Sequence, residues 1–148
     1  MRDLSGLARY RDLEPKVRKA LEAIRGDANN PEALVIMGEW YAFRRICDWA
    51  VEMLERARKN GADVSSLTLA RCYWLLSEDE TGPKEKRPAH RAAAAAEFQK
   101  ELDRVKAQPV PQDAKAKLAR EQQELYLNLC LQAVQKPPPE PAKPADAK

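Results

Sequence analysis

The chain has 148 residues, which suits one globular domain and is too short for two domains with separate cores. Charged residues make up 33% and aromatic residues 6%, with abundant Ala, Leu, Lys, Arg and Glu and few glycines, a composition that favours helices over β-sheet. The 26 basic and 23 acidic side chains leave a formal net charge of +3, which by itself does not indicate nucleic-acid binding. We therefore expect an all-α protein with interspersed charges on its solvated helix faces.

Neither the cysteines nor the first residues indicate a secreted or membrane protein. Cys47, Cys72 and Cys130 are odd in number, distant from one another, and lie in apolar helical contexts without CxxC spacing. This pattern predicts reduced, buried thiols. The residues after Met1 contain no apolar run long enough for a signal peptide or a membrane span. The expectation is a cytoplasmic protein without a membrane span.

The N-terminal half predicts an arm followed by four helices. The pattern of residues 1–14 indicates neither a helix nor a loop clearly, so we expect a frayed arm or a short helix there. Pro15 suits the first turn of a helix that Gly26 ends, and Pro31 starts the next one after an Asn-rich turn. Ser65 or Ser66 is the expected N-cap of the fourth helix. The four predicted helices cover about 15–26, 31–43, 48–59 and 66–77.

The C-terminal half predicts a polar loop at 77–88, a helix at 89–108 and a second helix at 112–135, separated by Pro109 and Pro111. In the last helix the expected main apolar stripe comprises Leu118, Leu125, Tyr126, Leu129 and Ala133. Other apolar residues lie partly off that stripe, namely Leu127, Leu131 and Val134. Residues 136–148 are rich in proline and contain no larger apolar side chain, so we expect a disordered tail after one helical domain at 15–135.

The second and third predicted helices share one spacing. Four residues of the second helix fall at i, i+3, i+4 and i+7, namely Leu34, Met37, Gly38 and Tyr41. Three residues of the third helix repeat the spacing, namely Ala50, Leu54 and Ala57. Small residues at such positions let two antiparallel helices approach closely. The fourth helix then carries Ala70 and Tyr73 where the second carries Gly38 and Tyr41.

This pattern resembles the tetratricopeptide repeat (TPR) family, whose unit is a helical pair of about 34 residues. The resemblance covers roughly residues 17–76 and ends where the polar loop and a long fifth helix depart from the repeat. It implies a short or incomplete array of antiparallel helical hairpins, an α-solenoid, followed by a longer C-terminal helical pair. It also implies an adaptor or scaffold that binds a protein or peptide partner in a concave groove.

The concave face of that family maps onto the second and fourth helices of this chain. The side chains that the resemblance assigns to partner binding are Glu39, Phe43, Arg71, Trp74 and Leu75. An alternative stays open for Phe43 and Trp74, in which both pack against the fifth and sixth helices and the C-terminal half partly fills the groove. Trp40 is expected in the core. Trp49 falls where the family shows a polar residue, and if exposed it would mark a second contact surface or a dimer interface.

Two other functions are alternatives. The sixth helix, with Trp49, would build a homo-oligomer or larger assembly through exposed apolar faces. Basic clusters at 9–19 and 84–91 would contact phosphates, but acidic neighbours and the lack of interleaved aromatic residues in the second cluster argue against nucleic acid. His90 is the sole histidine, and the sequence has no Gly-rich phosphate loop and no Ser or Cys beside that histidine. We therefore expect no enzymatic activity, no metal and no cofactor.

Overall fold

The all-α prediction is confirmed for the part of the chain that the computed structural model describes, residues 4–136, with side chains described from Glu14 onward. Each helix in this part packs against the helix that follows it, most extensively α4 against α5. The elements are α1 (Leu4–Gly26), α2 (Pro31–Phe43), α3 (Cys47–Lys59), α4 (Ser66–Glu78), a 3₁₀ turn (Lys84–Lys86), α5 (Arg87–Ala107) and α6 (Ala114–Gln135). Beyond Lys136, the predicted disordered tail lies outside the described residues.

Capping side chains set where three of the helices begin. Asn30, Ser65 and Asp113 each accept, through a side-chain oxygen, a hydrogen bond from the backbone N–H three residues later, at 3.1–3.2 Å. These bonds satisfy N–H groups that have no partner inside the helix. The predicted starts of the second and fourth helices follow from this local chemistry.

The N-terminal helix is longer than predicted. α1 begins at Leu4 and contains Pro15 in its interior, so the prediction that Pro15 starts this helix is wrong. A proline inside a helix removes one backbone hydrogen bond and disfavours the helical conformation of the residue before it. α1 nevertheless continues through Pro15. The whole helix has 23 residues and ends at Gly26, as expected.

The predicted close contact between α2 and α3 requires glycine at position 38, because glycine has no Cβ atom. Leu34, Ala50, Leu54 and Ala57 are fully buried, as the spacing predicts. A Cβ atom added to Gly38 would lie 2.6 Å from Leu54 Cγ and 2.7 Å from its Cδ2. Because Leu54 is fully enclosed, its branched side chain has no space into which to move.

We expect Gly38→Ala to destabilise the protein by about 1 to 3 kcal/mol, because overpacking at this contact outweighs the higher helix propensity of alanine. Gly26→Ala is the matched control, since a Cβ atom there meets nothing within 4 Å. Urea unfolding followed by circular dichroism measures both variants. Equal midpoints for Gly38→Ala and the wild type would contradict the proposed close approach.

A partly buried ion pair joins α3 to α5. Arg58 donates two hydrogen bonds to the carboxylate of Glu97, at 2.8 and 2.9 Å, and Lys100 donates a third at 3.1 Å. Glu97 is only 4% exposed. Burial acts to raise its pKa, but the hydrogen bonds and charges of Arg58 and Lys100 outweigh that effect and hold it below the usual 4.5. Beside this pair, Tyr73 on α4 donates a hydrogen bond to Glu55 on α3 at 3.0 Å. The pKa of Tyr73 is raised, mainly because its side chain is buried.

The lowered pKa of Glu97 predicts a pH-dependent contribution to stability. The contribution is present above about pH 4.5, where the unfolded chain is ionised, and is lost as the pH falls through the lower pKa of the folded protein. We expect Glu97→Gln to cost about 2 kcal/mol at pH 7, with a difference that shrinks below pH 4.5. The control is Glu52→Gln, whose carboxylate is 61% exposed and pairs with Arg56 within the same helix. Thermal unfolding between pH 3 and 7 tests this, and a constant difference across that range would argue against it.

α6 buries a different face from the predicted one. Its buried residues are Leu127, Cys130, Leu131 and Val134, whereas every residue of the predicted main stripe is exposed. The helix therefore has two apolar faces, and α5 covers the face that includes Cys130. The expectation for the cysteines is confirmed, since all three are free and buried.

Candidate functional site

A groove of about 760 Å³ opens between α2 and α4 and reaches α6. Five of the six predicted partner-binding residues line it, namely Glu39, Phe43, Arg71, Trp74 and Leu75. The sequence analysis did not assign five further lining residues to the groove, namely Arg45, Thr68, Cys72, Glu78 and Tyr126. The fold thus brings together side chains from α2, α4 and α6 that are far apart in the sequence.

The α2 side of the groove has both polar and apolar character. Glu39 Oε2 accepts a hydrogen bond from Thr68 Oγ1 on α4 at 3.2 Å, which connects the two helices across the groove. Phe43 is 39% exposed and stacks on Trp40 with ring centroids 6.2 Å apart. Leu75, on the α4 side, is 45% exposed. The groove therefore presents two apolar side chains to solvent.

Trp74 belongs partly to the core. Its ring contacts Phe98 of α5 edge to face, with ring centroids 5.8 Å apart, and its Nε1 donates a hydrogen bond to Glu78 at 2.6 Å. The alternative in which this tryptophan packs against the fifth helix is thus confirmed for Trp74. Residues of α5 and α6 pack against Trp74, whereas Phe43 and Leu75 stay exposed.

Tyr126 of α6 forms one wall of the groove. Its hydroxyl oxygen accepts a hydrogen bond from Arg71 at 3.0 Å, and the guanidinium carbon of Arg71 lies 5.6 Å from the ring centroid. A cation near the face of an aromatic ring is stabilised by the ring's charge distribution. This contact orients Arg71, which has no comparable neighbour on its own helix in the described contacts.

The charged groups of the groove are balanced in sign. Arg45 and Arg71 face Glu39 and Glu78. Arg45 has a φ of 60°, in the left-handed region that non-glycine residues seldom occupy. This conformation turns the chain between α2 and α3 at the edge of the groove. With two charges of each sign, polar recognition here depends on local geometry more than on a net field.

A second cavity of about 940 Å³ adjoins the groove and shares Arg45, Leu75 and Glu78 with it. Cys47 lines this second cavity and Cys72 lines the groove. The two thiols lie in the same buried cluster, and their interaction lowers the pKa of Cys47 and, together with burial, raises the pKa of Cys72. The described residues contain no group of three potential metal-ligating side chains, so these thiols lack further ligands for a metal ion.

Trp49 does not line the groove. It is 52% exposed on α3 and contacts Tyr41 of α2 edge to face, with ring centroids 5.2 Å apart. Trp40 is buried, as predicted. The structure therefore separates Trp49 from the other five predicted partner-binding residues.

Comparisons of the chain with protein-family models, curated proteins and solved structures find no match. Among the described residues, no helix is long and apolar enough to cross a membrane.

The packing of Trp74 predicts that truncating it affects folding. We expect Trp74→Ala to lower the free energy of unfolding by about 2 to 3 kcal/mol, because it removes the contact with Phe98. Leu75→Ala, next to it but 45% exposed, is expected to cost less than about 1 kcal/mol. Urea unfolding of the two variants measures the difference. Equal losses would mean that Trp74 contributes no more to the core than Leu75.

Proposed function

We propose that this protein is a TPR-like adaptor that binds a segment of a protein or peptide partner in the groove between α2 and α4, without catalysis. The observation that carries the proposal is the exposure of Phe43 and Leu75 inside a concave groove that also contains polar groups. Binding sites typically combine apolar lining with a few oriented polar side chains. The close contact of α2 with α3 and the position of α4 beside them support the TPR-like interpretation.

The walls of the groove support binding of a short segment. The hydrogen bond from Thr68 to Glu39 connects α2 to α4, and the one from Arg71 to Tyr126 connects α4 to α6. Side chains that are already oriented lose little entropy on binding, so more of the contact energy appears as affinity. The groove thereby favours a partner that supplies one or two apolar side chains between polar or charged neighbours.

A selection from a random-peptide library displayed on phage tests this proposal. We expect the immobilised protein to select peptides with apolar anchor residues, and Leu75→Asp to weaken their binding at least about tenfold, which corresponds to about 1.4 kcal/mol. The physical reason is that a carboxylate would be desolvated against the apolar anchor. Fluorescence anisotropy with labelled peptides gives the dissociation constants.

The matched control is Leu21→Asp, because Leu21 is 43% exposed on α1 and does not line the groove. It should leave peptide binding unchanged. Thermal unfolding of both variants shows that any loss of binding does not come from loss of the fold. Failure to select any peptide, or selected peptides that bind Leu75→Asp as tightly as the wild type, would reject the groove as the binding site.

A further inference from the structure

Two of the three cysteines lie together in the fold, although residues 48–71 separate them in the sequence. Cys47 is the first residue of α3, and Cys72 lies in the middle of α4. Together with Ala50 they form one small buried cluster, in which the two cysteines are 7% and 3% exposed. Cys130 is similarly buried but belongs to a different cluster, with residues of α5 and α6. The fold therefore pairs two thiols and leaves the third apart.

The two paired thiols differ in their surroundings. Cys47 begins α3, and the residue before it provides no side-chain cap, so the positive end of the helix dipole lies beside its sulfur. The pKa of Cys47 is lowered, mainly by the interaction with Cys72 and also by the charge of Arg45. Burial, Asp48 and Asp79 act in the opposite direction without cancelling this effect. The pKa of Cys72 is raised by its interaction with Cys47 and by burial, so Cys47 is the thiol that ionises first.

Small molecules can approach the pair from two sides. Cys47 lines the second cavity, of about 940 Å³, and Cys72 lines the groove, of about 760 Å³. Both volumes are far larger than the roughly 30 Å³ that one water molecule occupies in the liquid, so a small oxidant fits into either of them. Cys130 lines neither cavity. The pair is therefore open to small reagents in a way that Cys130 is not.

We propose that Cys47 and Cys72 form a redox-responsive dithiol, which a hydroperoxide oxidises to a disulfide between α3 and α4. The resting state is the reduced pair, since both thiols are free in the structure. Redox-responsive cysteines combine an accessible thiolate with a second thiol close by. Cys47 at the start of its helix meets the first requirement, and Cys72 in the same cluster meets the second.

The oxidation takes two steps, shown here for hydrogen peroxide. The Cys47 thiolate attacks one peroxide oxygen, the O–O bond breaks, and the departing hydroxide takes up the proton that Cys47 had released. Cys47 is then a sulfenic acid, and one water has formed. The Cys72 sulfur attacks the Cys47 sulfur, the S–O bond breaks, and hydroxide leaves as water with the proton of Cys72. Two thiols have lost two electrons to the peroxide, and a reducing dithiol reverses the reaction by thiol–disulfide exchange.

Peroxide treatment of the reduced chain under native conditions tests the proposal. Remaining thiols are then blocked with N-ethylmaleimide in urea, and the chain is digested with trypsin, which cleaves between all three cysteines. Mass spectrometry without reduction should show one crosslinked peptide pair, from Cys47 and Cys72. Free thiols should fall from all three cysteines to Cys130 alone, and dithiothreitol should restore the other two.

Three variants separate the roles of the cysteines. Cys72→Ser should stop at the sulfenic acid on Cys47, which dimedone traps. In Cys47→Ser the thiolate that attacks the peroxide is gone, so Cys72 should react at least about tenfold more slowly than Cys47 does in Cys72→Ser. The matched control is Cys130→Ser, which should form the disulfide like the wild type. Circular dichroism checks that all three variants keep their helicity.

The proposal is overturned if the folded wild type keeps all three thiols under a peroxide treatment that removes those of the urea-unfolded chain. A disulfide that includes Cys130, or one that links two chains, also overturns it. Equal rates of thiol loss in Cys47→Ser and Cys72→Ser would reject Cys47 as the attacking group. All these results are read on the cysteines alone, so none of them depends on peptide binding in the groove.

Discussion

The bidentate ion pair between Arg58 and Glu97 is the interaction on which the arrangement of the helices depends. It joins α3 to α5, and α4 packs against both of these helices. A carboxylate that is 4% exposed is costly to bury, so it favours only the arrangement in which its hydrogen bonds are complete. α2 in turn packs tightly on α3 through Gly38, so the groove between α2 and α4 lies beside the helices that this pair joins.

The C-terminal helices have two roles around the groove. α5 supports its floor, where Phe98 contacts Trp74, and α6 supplies Tyr126 as a wall that orients Arg71. The apolar side chains Phe43 and Leu75 remain exposed between these supports.

The sequence predicted the N-terminal helices because their signals are local, and the family resemblance pointed to five of the residues that line the groove. α3 has one clear apolar stripe, and capping residues precede α2 and α4, so the buried face of α3 and the starts of α2 and α4 follow from local sequence. The start of α1 was wrong because a proline usually begins a helix or breaks one, while here it is inside. The prediction for the core face of α6 is wrong because the helix has two apolar stripes of similar length, and periodicity does not distinguish between them.

By itself, then, the sequence determined the all-α class and the α2 to α4 segment, since capping and helical spacing act within a few residues of the chain. Only the tertiary structure decided which face of α6 is buried, that Trp74 is shared between core and groove, and that Tyr126 meets Arg71 across 55 residues. Those outcomes depend on the packing of helices that are distant in sequence. Local propensity carries no information about which of two apolar faces meets a neighbour, because that choice is made by the total buried surface and by the burial of groups such as Glu97.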